Sequence, residues 1–505
     1  MTKILENRSR PRTFSLTPFS LFLPALAVTA ILWATRASPV TGEQALCSFL
    51  LFLFPWGSFL AWKQRKRGGL PVFAIVGLTY WWYFTPAMFW TDRLMQFGRG
   101  SVPATEDLIT GTLRLTLVGV LCMWTGMKLQ LPVLVPSRQP QLMDDPTSWA
   151  YVRLILVMGT LASLAPGATG MLGTGGRQIM EILISIVPTV ALMLLLRRYL
   201  EGKGSPVDRF LLCIYFPVKI VLGLASGWMG SIVNLGLICG ATYFLVRRKI
   251  PWTLIAVSVA AVLFLQVGKN TFRKSYWYTE GASGGIVEGV MLWVNESASK
   301  WSEAMESSSG GGPGALAAES LERTSLLTQV AHVIDVTPKE VPFLEGSSYS
   351  YLALTLIPRF VWPDKPSMNE ANQYYQVVFG LTAEQDLGTT SIGIGCLGEA
   401  YINFGWPGVV GIMFGIGVVL GIYERSFAAR GSSALFLAIG LALLPEMIGI
   451  QAQMAQYLGG LVQRVLLTIL VFLPVIRGRL AGAGAFRKTP QRASAMGRLR
   501  ARPSH

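Results

Sequence analysis

The chain has 505 residues, of which 52% are hydrophobic and 14% charged, where ordinary globular proteins carry about 25% charged residues. With a mean hydropathy of +0.48, water is not its main solvent, and the multidomain soluble enzyme that the length permits is excluded. The net charge of +16 does not mark a nucleic-acid binder, because Lys and Arg stand in short clusters between apolar runs and in the C-terminal tail.

The first apolar run, at about 17–35, follows Arg8, Arg10 and Arg12. Arg36 stands where a signal peptidase needs small neutral residues, and a second run follows at once, so the run reads as a retained span. Further runs lie at about 44–62, 70–90, 108–127, 150–168, 178–196, 210–226, 229–246 and 250–267, then at 406–423, 434–450 and 459–476. Each is about as long as a helix crossing a hydrocarbon core of roughly 30 Å. The expectation is an all-α polytopic membrane protein with about twelve transmembrane helices.

Alternate loops hold the cations: Lys63, Arg65, Lys66 and Arg67, then Lys128 and Arg138, then Arg197, Arg198 and Lys203, then Arg247, Arg248 and Lys249. These loops are expected to face the cytoplasm, with both termini. The parts are then an N-terminal bundle (1–267), a long outer-face loop (268–395), C-terminal spans (396–476) and a basic tail (477–505). No internal repeat of the kind used by inverted-repeat transporters is evident.

The long loop has helical patterns of its own. Ile286, Val287, Val290, Met291, Val294 and Trp301 describe an amphipathic helix suited to lying on a bilayer surface. Ser307-Ser-Ser-Gly-Gly-Gly-Pro-Gly314 reads as a joint. A second pattern aligns Leu327, Val330 and Ile334, and the same stripe four residues back reaches Arg323. That arginine is either on a packed face or snorkelling to headgroups. His332 points away from the stripe and is expected to be exposed and incidental.

Nucleotide-binding and hydrolase signatures are missing, and with two histidines and five scattered cysteines neither a metal site, a disulfide framework nor any cofactor is expected. The loop instead collects cations: Lys269, Arg273 and Lys274, then Arg323, then Arg359 and Lys365 around Ile357-Pro-Arg-Phe-Val-Trp-Pro-Asp-Lys-Pro366. Arginine forks match phosphate oxygens, so the set suits a diphosphate, lipid headgroups being the alternative. Glu399, within Gly393-Ile-Gly-Cys-Leu-Gly-Glu-Ala-Tyr-Ile-Asn-Phe-Gly405, is a half-desolvated carboxylate at a membrane boundary, suited to a general base or simply to a helix N-terminus. Within the spans, Lys219 is expected to pair with Glu181 or Glu446, or to meet substrate.

Four stretches carry a resemblance: Glu322-Arg-Thr-Ser-Leu, Pro342-Phe-Leu-Glu-Gly-Ser-Ser-Tyr349, the proline-rich segment at 357–366, and Gly398-Glu-Ala-Tyr-Ile-Asn-Phe-Gly405. Over about residues 320–410 the chain resembles the oligosaccharide repeat-unit polymerases of the O-antigen polymerase type. The resemblance implies the fold of lipid-dependent (GT-C-like) glycosyltransferases and a metal-independent enzyme joining undecaprenyl-diphosphate-linked oligosaccharides at the periplasmic face of a bacterial inner membrane, which makes 268–395 a periplasmic loop. It implies membrane lipids, a flippase and a chain-length regulator as partners, and no nucleic acid. Family-type arginines map onto Arg273, Arg323 and Arg359, and the acidic-aromatic motif onto Glu399, Tyr401 and Asn403. The chain departs from the family at Ser226-Gly-Trp-Met-Gly230, where many members carry an arginine. In the expected site Glu399, Arg323 and Arg359 are catalytic, while Lys269, Arg273, Tyr349, Trp362, Lys365, Tyr401 and Asn403 bind substrate. An O-antigen ligase-like transferase and a flippase or exporter of lipid-linked glycan are the competing readings.

Overall fold

The computed structural model describes residues 18–64, 69–97, 100–129, 131, 139–164, 173–277, 286–306, 312–355, 357, 361–362, 364–367, 369–387, 392–429 and 432–477. Before the long loop come α1 (Pro18–Ala34), α2 (Gly42–Gln64), α3 (Val72–Phe84), α4 (Pro86–Trp90), α5 (Glu106–Lys128), α6 (Pro146–Ser163), α7 (Gly173–Leu200), α8 (Pro206–Ala225), α9 (Met229–Arg247) and α10 (Trp252–Trp277). The loop holds α11 (Ile286–Glu306), α12 (Pro313–Thr324), α13 (Leu327–Val336), α14 (Ser350–Thr355) and α15 (Glu370–Val378). The last helices are α16 (Gly395–Phe427), α17 (Ala434–Ile448), α18 (Met454–Leu458) and α19 (Leu461–Phe472). Two short antiparallel pairings join β1 (Leu94–Phe97) to β2 (Gly100–Pro103) and β3 (Gln141–Leu142) to β4 (Ile476–Arg477).

Every stretch expected to span is largely helical where described, and eight described helices or helix pairs are long and apolar enough to cross a membrane. The protein is thus a mostly helical, multi-pass membrane protein. The other four expected spans are shorter or more polar. Helices α1 and α17 have 17 and 15 residues, α8 contains Asp208, Arg209 and Lys219, and α6 sets Arg153 behind a polar first turn.

The cationic helix ends gather on one side. Trp62 of α2 stacks near Phe244 of α9 with ring centroids 5.6 Å apart. Arg197 of α7, Leu245 of α9 and Ala434 of α17 line one small cleft. The Arg425 guanidinium of α16 donates to the Met127 carbonyl of α5. Lys63, Lys128, Arg197 and Arg247 therefore share this basic side, and the long loop emerges at the opposite, loop side. On the basic side Arg153 donates to the buried Asp208 at 2.6 Å, fastening α6 to α8.

Helices α5 and α16 run side by side through the core. A Cβ on Gly126 would lie 2.1 Å from the Phe414 carbonyl oxygen, and one on Gly417 2.0 Å from that of Met123. Only glycine allows such backbone contact, a device membrane helices use where apolar burial drives little association.

Helix α10 continues to Trp277, past its apolar span, which ends at Lys269. Helix α11 does not stand apart on a surface: the Trp293 ring stacks on Phe272 at 5.2 Å and its indole N–H donates to the Leu265 carbonyl. The Trp301 indole likewise donates to Phe264.

Candidate functional site

Helix α16 is two helices joined at Gly405, whose φ of +63° and ψ of −146° lie where only glycine is unstrained. The bend lays the Ala400 carbonyl against Gly408, so residues 395–404 form a short separate helix. A helix end leaves backbone groups without intrahelical partners, and here neighbouring segments supply them. Gly395 and Cys396 N–H donate to the carbonyls of Gln451 and Ile450, in the break between α17 and α18. At the other end the Ile402 and Asn403 carbonyls accept from Leu344 and Glu345 N–H.

Glu399 lies on this short helix, 2% exposed. Its Oε1 accepts from the Ser348 hydroxyl at 2.7 Å and its Oε2 from the Met454 N–H at 2.6 Å. Asn403, fully buried one turn later, donates from Nδ2 to Ser348 Oγ and to the Glu399 carbonyl, both at 2.8 Å, and accepts the Gly346 N–H at 2.9 Å. Both carboxylate oxygens are thus engaged, and Glu399 fastens the 342–349 segment to α16 and α18. The carboxylate expected at a half-open boundary is instead enclosed, because the chain breaks at Gly405 and 449–453 fold over it.

Tyr349 sits against this fastening with its ring stacked on Phe404, centroids 6.3 Å apart. Burial, aided by the Glu399 charge, pushes its phenol well above the ordinary range, so the hydroxyl stays protonated. Among the described residues that buried hydroxyl has no hydrogen-bond partner. Tyr401, on the same short helix, meets the edge of Phe343.

A second group forms at the loop-side end of α10. Arg273 and Arg323 both lie close enough to Lys269 for their charges to act on it, although Arg323 is some fifty residues further along the chain. The Arg273 guanidinium donates to the Gly227 carbonyl at 3.1 and 3.3 Å and lies 4.6 Å from the Trp228 ring. The turn that lacks an arginine of its own thus receives one from α10. Arg323 pairs with Glu319 and keeps 30% of its side chain exposed. It does not extend the α13 stripe, because the helix breaks at Ser325 and Leu326, where the Ser325 hydroxyl and the Leu326 N–H both take the Tyr83 carbonyl.

The remaining candidates fall elsewhere. Lys365 is buried and donates to the Leu354 and Ile357 carbonyls, closing the end of α14 rather than facing a ligand. Trp362 is 41% exposed. Arg359 lies outside the described residues, as do residues 307–311 of the joint and the tail beyond 477. His332, expected at the surface, is 1% exposed and bonded to the Phe379 carbonyl at 3.0 Å, because α13 is covered on both faces and not along a single stripe. Lys219 donates to the Ser163 hydroxyl at 3.1 Å, while Glu181 and Glu446 pair with Arg177 and Arg464.

Sequence reasoning missed Ser348, although it stands in the quoted Pro342–Tyr349 stretch, and missed the 449–460 connection altogether. The signal was a pair of glycines, Gly449 and Gly460, flanking the glutamines Gln451, Gln453 and Gln456 in an otherwise apolar region. Among the described residues no three His, Cys, Asp or Glu side chains gather as a metal site requires.

A family model described as a domain of unknown function, DUF8712, matches residues 100–428. No curated protein and no solved structure matches the chain.

Proposed function

The chain belongs to the DUF8712 family, whose function is unknown, and we propose from its own residues that it is a polymerising glycosyltransferase. In this reading it joins oligosaccharide units carried on undecaprenyl diphosphate, at the periplasmic side of a bacterial inner membrane, and the loop side is periplasmic. The observation that carries the reading is the convergence of Lys269, Arg273 and Arg323 at the loop-side end of α10. Three cations beside a membrane surface, two of them planar forks, suit a lipid-linked diphosphate.

The chemistry assigned to them is electrostatic. An acceptor hydroxyl oxygen attacks the anomeric carbon, the bond from that carbon to the diphosphate breaks, and the cations hold the charge that develops on the leaving group. The departing diphosphate takes the hydroxyl proton. The exposed Trp362 offers ring surface to the acceptor sugar, and Tyr349 and Tyr401, whose hydroxyl and ring are enclosed, shape the wall behind it. Glu399, Ser348 and Asn403 are positioning residues that hold Tyr349 in place.

The test is incubation of the purified protein, in lipid vesicles, with an undecaprenyl-diphosphate-linked oligosaccharide. A ladder of longer products is expected, without nucleotide or divalent metal. Unchanged starting material sinks the reading, and its movement across the vesicle without lengthening identifies an exporter.

A further inference from the structure

The contacts of α11 fix its direction and depth. Trp293 meets Phe272, a Cβ on Gly268 would touch the Ser297 backbone, and Trp301 meets Phe264, so α11 runs antiparallel to α10 in constant register. The apolar part of α10 that qualifies as a span ends at Lys269. Helix α11 continues to Glu306, ten residues past the point level with Lys269, which at 1.5 Å per residue is about 15 Å below the loop-side end of that span. Helix α12 touches α11 and α10 and returns to the loop side, since Ser325, just past its end, bonds to Tyr83 at the end of α3. Its twelve residues climb about 18 Å.

Three lengthwise faces divide α11. Trp293, Ser297 and Ala304 pack on the bundle. On one flank Met305 points outward at 72% exposure, and Val287 and Met291, at 65% and 60%, continue that flank above the level of Lys269. On the other flank Asn295, Ser299, Ser302, Glu303 and Glu306 are exposed as well. Below the level of Lys269, Met305 shares its depth with the exposed Glu303 and Glu306, so one solvent cannot suit all three. Carboxylates at bilayer depth require water or protein partners, and long apolar side chains require lipid.

We propose that α11 and α12 form a re-entrant helical hairpin in the loop-side half of the bilayer, and that the polar flank of α11 walls a water-filled groove. The groove takes the hydroxyl-rich glycan of a lipid-linked ligand. Serine hydroxyls, an amide and carboxylates match sugar hydroxyls, whereas Glu303 and Glu306 repel the diphosphate and leave it to Lys269, Arg273 and Arg323. The choice of ligand rests on the polymerase reading; the groove itself does not.

The experiment places nitroxide labels singly at Ser302, Glu306 and Met305 in protein whose five cysteines are replaced by alanine, reconstituted in phosphatidylethanolamine and phosphatidylglycerol vesicles. If replacing buried Cys396 prevents folding, a spin-labelled unnatural amino acid at the same positions gives the same comparison in the native chain. Labels at Ser302 and Glu306 should be relaxed by a water-soluble nickel chelate, and that at Met305 by oxygen. Nickel access at Met305 places α11 in bulk water, and oxygen access alone at Ser302 removes the groove; either result overturns the proposal. In the second arm, Ser302→Trp should shorten the product ladder at least tenfold while sugar-free undecaprenyl diphosphate binds as before. A full-length ladder with Ser302→Trp refutes the glycan assignment. If the wild-type protein forms no ladder, the polymerase reading and with it the glycan assignment fall, while the labels still decide the groove.

Discussion

Replacing Ser348 by alanine removes the hydroxyl that stands between Glu399 and Asn403. That hydroxyl donates to Glu399 Oε1 at 2.7 Å and accepts from Asn403 Nδ2 at 2.8 Å. A hydrogen bond to a charged group contributes about 1.5–3 kcal/mol and a neutral one about 0.5–1.5 kcal/mol. Because Glu399 and Asn403 are both buried, water does not replace the lost partner, and Ser348→Ala should destabilise the protein by about 2–4 kcal/mol. Glu399→Gln keeps the contacts without the charge. The amide oxygen can keep the Met454 N–H and the amide nitrogen can donate to Ser348 Oγ, so two charge-assisted bonds become neutral, at about 2–3 kcal/mol. Since both changes act on one network, the double variant should differ from the sum of the single losses by about 0.5–3 kcal/mol. The measurement is the midpoint for loss of the monodisperse peak after heating in one detergent, compared at a single heating rate because such unfolding is often irreversible. In the ladder assay the two variants, where still folded, should fall together, as expected of residues that position Tyr349. A Glu399→Gln protein as stable as wild type but slower by about 10²–10⁴-fold would refute the positioning role and make Glu399 the general base.

Other outcomes follow from the same geometry. Gly405→Ala places a Cβ where φ is +63° and ψ is −146°, 3.2 Å from the Phe343 ring; it should cost about 1–3 kcal/mol, seen as a lowered heating midpoint. Arg273→Lys keeps the charge but loses the paired donation to Gly227 and much of the contact with Trp228, so product length should fall while the amount of protein in the membrane stays normal; full activity would mean that only diffuse charge matters. Lys365→Met should lower thermal stability and leave binding of undecaprenyl diphosphate to the folded fraction unchanged; weakened binding would return Lys365 to the ligand site. A phosphatase active only in the periplasm should work when fused after Gly380 and fail when fused after Lys249, and the reverse pattern overturns the assigned orientation.

Composition and the spacing of cations between apolar runs were enough to establish a helical multi-pass protein, because apolar length and charge placement act locally and need no knowledge of neighbours. The same holds for the gathering of Lys63, Lys128, Arg197 and Arg247 on one side. The quoted stretches 342–349 and 398–405 also drew attention to the right residues, since a carboxylate and an asparagine among glycines are costly in apolar surroundings without partners. Who those partners are was decided only by the tertiary structure. Ser348, the Met454 N–H and the Gln451 carbonyl reach the short helix at 395–404 from segments about 50 residues away in either direction. The enclosure of Glu399 and His332, the turning of Lys365 onto backbone carbonyls, and the descent of α11 along α10 have the same cause. Helical periodicity states which face of a helix is apolar, but whether a second layer covers the polar face depends on breaks at Gly405 and at Ser325–Leu326, where chain direction is set by backbone groups seeking distant partners.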